Sequence, residues 1–484
     1  MPNHFAKTFA RRRFLQATAV AGMATPAGSA APPQATPTSA TDVTRRLAAW
    51  AVSSRVEDVP ASVRREATRT LLNWVGCAVG GSREPAVEAA IRAITPFSGP
   101  AQATVLGRKE RLDALNAALM NGISSHIFDF DDTHLRTIVH PAGPVASAIL
   151  GLAESRPVSG ADLLHALIVG AEVECRIANA VYPQHYDVGW HITGTVGPFG
   201  AAAAAGKLLR LSEQQMCWAI GLAAAQPVGL REMFGTMTKS FHPGRAAQNG
   251  FTAALLAAQN FTSSEQSLEA PRGWANVLST ARNYAEITEG LGAHYEIAVN
   301  SYKPFPCGVL IHPAIDGCLR LRAEHRLVPG EIERIELRVH PLVLELTGKR
   351  IPRTGLDGKF SVYHAVAAAI VRGRVGQTEF SDSAVQDPAT VALRERVVAI
   401  VDRSIAEHQV RIEITRKDGR KIEKYIEHAI GSARNPMSDA QLEAKFSGLA
   451  EGILPAQRVR RLMDMCWTID RVPKAAQLAR AAAG

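Results

Sequence analysis

PASVRREATRTLLNWVGCAVGG, residues 60–81, sets apolar side chains at Val63, Ala67, Leu71, Trp74 and Ala78. Steps of three and four bring these onto one face of a helix. Pro60 and Ser62 are start signals and Gly80-Gly81 a stop. The same periodicity recurs outward from this segment, so the chain up to about residue 296 reads as nearly all helix. Segments 161–182, 195–209, 212–225 and 245–260 are rich in Ala and Gly, which lets helix axes approach closely, and no repeat period is present. The character changes near residue 297. Ile335 to Val339 alternates, and Val410 to Ile414 faces Ile422 to Ile426 across a Lys417-Asp418-Gly419-Arg420 turn. Tyr363 to Arg372 is an Ala-rich helix between them, and helical spacing returns from Ser438 to Ala481. The expected fold is mainly α: a large helical domain over 42–296 plus 433–484, with a smaller α+β domain, 297–432, inserted in it.

The 484 residues are 46% hydrophobic and 20% charged, enough for a large core. The net charge of +9 is spread along the chain, without the basic, aromatic-interleaved stripe that nucleic acid requires. A mild positive excess suits a small anionic substrate. Arg11-Arg12-Arg13-Phe14, a short apolar segment and Gly28-Ser29-Ala30-Ala31 have the order of a secretory signal of twin-arginine type over residues 1–31, which predicts a periplasmic protein. A Pro- and Thr-rich linker is expected over 32–41. No membrane insertion is expected of the remainder, since the small apolar run Gly197–Gly206 stops at Lys207. Six cysteines form no C-x-x-C pair, and Cys307 alone lies among residues that make a nucleophile worth considering.

Chemistry concentrates in Asp129-Phe130-Asp131-Asp132-Thr133-His134, followed by His140-Pro141. So many carboxylates and imidazoles between two apolar helices (Leu115 to Ile127 and Val145 to Glu154) are costly to bury without a purpose. Four more segments carry polar groups at element boundaries. His191 precedes the helix that Gly194 and Thr195 open, and Lys239 and His242 precede another. Lys303 stands at the domain junction, and Lys359 and Tyr363 open the helix of the smaller domain. Each has an ordinary structural reading: a capping Asp131 or Asp132, a satisfied His191, a solvated Lys239 or Lys359, a rigid linker around Lys303, a core Tyr363. Asp129, Asp131, Asp132, His134 and His140 are also the residue types of a metal-dependent hydrolase. A non-catalytic periplasmic polycarboxylate binder is the other alternative.

The order His126-x-x-Asp129-Phe-Asp-Asp-Thr-His134, His140-Pro141, Gly194-x-x-Gly197, Lys239-x-x-His242-x-Gly244, Lys303-x-Phe305-Pro306-Cys307 and Gly358-Lys359-Phe360-Ser361 resembles the MmgE/PrpD family over about residues 42–475. The resemblance implies a helical domain with a smaller α+β lid, a homodimer, and catalysis with neither metal nor organic cofactor. It implies a lyase acting on a small di- or tricarboxylate by proton transfer next to a carboxylate. A dehydratase of the 2-methylcitrate dehydratase type stands first, and a decarboxylase or epimerase is the alternative. The family's site pattern falls on Asp129, Thr133, His140, His191, Lys239, Lys303 and Tyr363. On this reading Lys239, Lys303 and His191 hold substrate carboxylates and His140 or Tyr363 moves the proton, while Asp129 with Thr133 orients the loop and its imidazole. The Thr133 to His140 spacing departs by one residue from the decarboxylase pattern, in a loop that varies with substrate.

Overall fold

A computed structural model describes residues 41–484. The expected signal peptide and all but the last residue of the expected linker lie outside the described residues. Helix Ala61–Gly81 forms as its periodicity predicts, burying Val63, Ala67, Leu71, Trp74 and Ala78. Helices Ala114–His126, Ala142–Ser155 and Gly160–Val181 pack against it, and Ile192–Leu208, Glu213–Ala224 and Thr238–Ala258 form a second group that packs on those helices and on one another. Their small residues serve the close approach anticipated for them. A Cβ on Gly122 would stand 2.4 Å from the Gly244 Cα, so the helices ending in His126 and beginning near Lys239 cross in backbone contact. Asp113 caps the first of these, its carboxylate accepting from the Asn116 N–H.

Three details depart from expectation. Helix Thr238–Ala258 begins well before residue 245, running through Pro243, so Lys239 sits in its first turn rather than ahead of it. Residues 259–299 hold only short turns of helix, Trp274–Leu278, Ala285–Thr288 and Glu296–Val299. The acidic loop is not purely a loop, because Asp132–His134 pairs antiparallel with Asn300–Tyr302, Asp132 opposite Tyr302 and His134 opposite Asn300.

The anticipated hairpin is present as Val410–Arg416 and Lys421–Ile426. It extends a four-stranded sheet whose order is Val397–Val401, Ile332–Val339, Val410–Arg416, Lys421–Ile426, the first pair parallel and the others antiparallel. Ile332, Ile335, Leu337 and Val339 are buried, while Glu333, Arg334 and Arg338 are exposed. The buried side packs with helices His312–His325 and Val362–Arg372 in one apolar cluster. Helices Asp439–Ala450 and Ala456–Trp467 return to pack on Ala61–Gly81. Among the described residues no helix is long and apolar enough to cross a membrane.

Candidate active site

Helix Ala114–His126 ends at the imidazole of His126, and the chain turns back through Asp129, whose φ of 51° lies in the left-handed region. The ribbon of Asp132–His134 with Asn300–Tyr302 then brings Lys303 beside the same turn. Lys239 reaches it from its own helix. The Asp129 Oδ1 accepts from Lys303 Nζ at 2.6 Å and from Lys239 Nζ at 3.0 Å. All three side chains are buried. Burial would raise the Asp129 carboxyl, but the two ammonium groups hold it well below the usual carboxylate range. Burial pulls Lys239 down, against the attraction of Asp129.

The histidines are tuned by what their other nitrogens touch. His126 Nδ1 lies 2.7 Å from Asp131 Oδ2 and its Nε2 lies 2.7 Å from Lys239 Nζ. The carboxylate can only accept, so Nδ1 carries the proton and Nε2 receives a hydrogen bond from the lysine. Asp131 is held low by His126 and His140 against the effect of burial. His140 Nδ1 lies 2.7 Å from the Asp132 carbonyl oxygen, with the Thr133 hydroxyl at 3.3 Å. A carbonyl also only accepts, so His140 presents its Nε2 as a lone pair, and that nitrogen has no hydrogen-bond partner among the described residues. Burial lowers His140 to about 3, and it is neutral near pH 7. His191 begins helix Ile192–Leu208, shares a 2.9 Å hydrogen bond between its Nδ1 and that of His242, and is pushed well below the ordinary histidine value by burial. Asp132 is raised to about 7 by burial and by neighbouring Asp131; its Oδ2 accepts from Asn300 Nδ2 and the Ala142 N–H, while Oδ1 has no partner.

The structure therefore brings Asp129, Thr133, His140, His191, Lys239 and Lys303 to one cleft. Tyr363 stays out of its lining. It belongs to the apolar cluster beneath the sheet, with the Arg350 guanidinium 5.0 Å from its ring centroid. The imidazole expected beside Asp129 belongs instead to Asp131, and Thr133 does reach the His140 ring. Lys359 bridges the two halves of the chain, donating to the Phe128 and Pro306 carbonyls and to Gln377. Burial lowers its ammonium to about 7. Lys445, from helix Asp439–Ala450, donates to the Phe130 and Lys303 carbonyls. Cys307 is fully buried and its thiol is pushed up, which removes it as a thiolate nucleophile.

The five residues of the metal-hydrolase reading do not converge. His134 is bound to Glu296 and Thr137. A different set, His126, Asp129, Asp131 and His140, has ligand atoms within 4.8 Å of one another. Two lysines already hold Asp129 and one holds His126 Nε2, so positive charge occupies the donors a divalent cation would need. The same lysine-bound His126 belongs to the other close set, His126, His140 and His191, so neither donor set fits a metal. His126 and Asp131 stand in the quoted motifs without a role in the lyase site, and the structure gives them one as the pair that engages Lys239. Motif reading passed over Ile138, a β-branched residue at φ 56° lining the cleft, a conformation that costs about 1–3 kcal/mol.

Two family models match, that of the MmgE/PrpD N-terminal domain over residues 45–287 and that of the MmgE/PrpD C-terminal domain over 305–469. The cis-aconitate decarboxylase of Aspergillus terreus is 26% identical over 461 residues, covering 89% of this chain and 94% of that protein. The cis-aconitate decarboxylase of Homo sapiens is 28% identical over 428 residues, 84% of this chain and 88% of that protein. The 2-methylcitrate dehydratase of Salmonella typhimurium is 24% identical over 438 residues, 83% of this chain and 88% of that protein.

Proposed function

The chain belongs to the MmgE/PrpD family, and on that premise we propose that it is a lyase acting on a small polycarboxylic acid by proton transfer next to a carboxylate, with dehydration as the reaction. One observation carries the reading: His140 is neutral, and its Nδ1–H is engaged by a carbonyl, which leaves Nε2 as a base in a cleft that also holds two lysines. Lys239 and Lys303 bind the substrate carboxylate and stabilise the charge that enters it as the adjacent C–H breaks. The proton passes to His140 Nε2. The imidazolium then returns it to the departing hydroxide, which leaves as water while the carbon–carbon double bond forms.

Decarboxylation is the second reading, favoured by the identity to cis-aconitate decarboxylases over most of this chain. There the bond to CO2 breaks first and the carbanion needs an acid, which a lysine ammonium supplies and a neutral histidine does not. Incubating the full chain with 2-methylcitrate, citrate and cis-aconitate separates the readings. Olefin absorbance from the hydroxy acids supports dehydration, CO2 release from cis-aconitate supports decarboxylation, and binding without either product returns the protein to a binder. We also propose export to the periplasm and homodimerisation, which cell fractionation and sizing by light scattering test.

A further inference from the structure

We propose that Asp131 and His126 are positioning residues for Lys239: the carboxylate fixes which imidazole nitrogen is bare, and that nitrogen directs the lysine so that one N–H is left for the substrate. This rests on the lyase reading above, in which Lys239 meets a substrate carboxylate. A lysine ammonium has three N–H donors. One goes to Asp129 Oδ1 at 3.0 Å and one to His126 Nε2 at 2.7 Å, and among the described residues no acceptor takes the third. Lys239 lines the cleft, so that donor is the one a ligand meets. The arrangement holds only while His126 Nε2 carries no hydrogen, because an N–H there would oppose the ammonium. Asp131 Oδ2, 2.7 Å from Nδ1, selects the required tautomer.

Elsewhere in this chain buried imidazoles are held differently. His185, His312 and His364 each give a ring N–H to a backbone carbonyl, which is neutral. His134 does face a carboxylate, but Glu296 is partly exposed and shared with Arg136. Asp131 is fully buried and its Oδ1 has no hydrogen-bond partner, so among the described residues this carboxylate bonds His126 alone. Burying an ion where a carbonyl would orient the ring equally well is costly. What the charge adds is a stronger acceptor at Nε2 for the lysine. Asp129, Asp131 and Lys303 are the charged groups facing Lys239. His126, His140, His191 and His242 complete its surroundings, and burial holds all four below the ordinary histidine value, leaving the lysines as the groups of this cluster that discharge on the alkaline side.

The test is the pH profile of kcat/KM for the full chain and its Asp131→Asn, His126→Gln and doubly substituted forms, on whichever of 2-methylcitrate, citrate and cis-aconitate is turned over. In Asp131→Asn the amide donates as well as accepts, so the ring is free to take either tautomer. Activity is expected to fall roughly 10- to 100-fold, the worth of one hydrogen bond to a charged group. The alkaline limb is expected to move about one pH unit lower, because the ammonium is then discharged more easily. In His126→Gln an amide oxygen still accepts from Lys239 without choosing a tautomer, so adding Asp131→Asn to it should cost no more than about twofold. An equal loss from Asp131→Asn in both backgrounds, or an alkaline limb that stays in place, makes Asp131 a packing residue and overturns the proposal. Should His126→Gln fail to fold by circular dichroism, the alkaline limb of Asp131→Asn alone decides. Turnover by the unsubstituted chain with variants that behave as packing changes removes only the positioning role; no turnover of any of the three acids brings down the lyase reading and this one with it.

Discussion

Asn at position 129 would leave Lys239 and Lys303 buried and facing each other without the carboxylate that now accepts from both, at 3.0 and 2.6 Å. Removing one member of a buried ion pair costs about 3–5 kcal/mol. An upper bound follows from the escape route, in which one lysine sheds its proton. Discharging a lysine of ordinary pKa near 10.4 at pH 7 costs about 5 kcal/mol at 1.36 kcal/mol per unit. With unfolding entropy near 2.1 cal/mol/K per residue over roughly 440 folded residues, this range corresponds to a melting point lower by about 3–5 °C. The sign with pH is fixed. In Asp129→Asn the Lys239 ammonium, which burial already pulls down, loses the attraction that opposes that shift, so the unfolded state binds more protons and the deficit shrinks as pH rises from 7 toward 10. Differential scanning calorimetry of both proteins at pH 7 and about pH 9.5 measures this. Adding Lys239→Met should recover part of the loss. A drop under about 1 °C, a deficit independent of pH, or no recovery in the double variant would refute the argument that Asp129 is the counter-ion of both lysines.

His140→Ala and Lys303→Ala are each expected to lower kcat by about 10²–10⁴ with the far-ultraviolet circular dichroism unchanged; full activity in either sinks its assigned role. Since burial lowers His140 to about 3, the acid limb of kcat/KM should fall well below the ordinary histidine value, and activity should persist at about pH 5; a limb near 6.5 would contradict a buried base. Gly122→Ala drives a methyl into the Gly244 backbone, so it should cost about 1–3 kcal/mol and weaken turnover by separating His126 from Lys239; an unchanged melting point and kcat would show that the helix crossing tolerates the shift.

The helices were legible because apolar residues recur at helical spacing, as at Val63, Ala67, Leu71, Trp74 and Ala78, even though helix Ala61–Gly81 is buried on every side from Ala67 onward. Strand Val397–Val401 was not, since a parallel strand reads as an unbroken apolar run without alternation. Pro243-Gly244 looked like a boundary, yet the glycine is what lets helix Thr238–Ala258 lie against Gly122. In the site, residue types and motif order pointed to Asp129, Thr133, His140, His191, Lys239 and Lys303. What they did not express is pairing: that Asp129 serves two lysines and Asp131 a histidine is a property of the ribbon joining residue 132 to residue 302. Ile138 escaped notice because a backbone angle leaves no mark in composition. Tyr363 sat on the correct helix but belongs to its core contacts.

The lysine that donates to the Phe130 and Lys303 carbonyls comes from position 445, far along the chain. During synthesis the acidic turn leaves the ribosome first, its lysine partner some 170 residues later, and this clamp later still. Closing such distances is an entropic cost met only when almost the whole polypeptide is available. A nascent or C-terminally shortened chain would therefore hold its helices well before it held a working floor of charges, so that capacity for chemistry arrives as the last event of assembly.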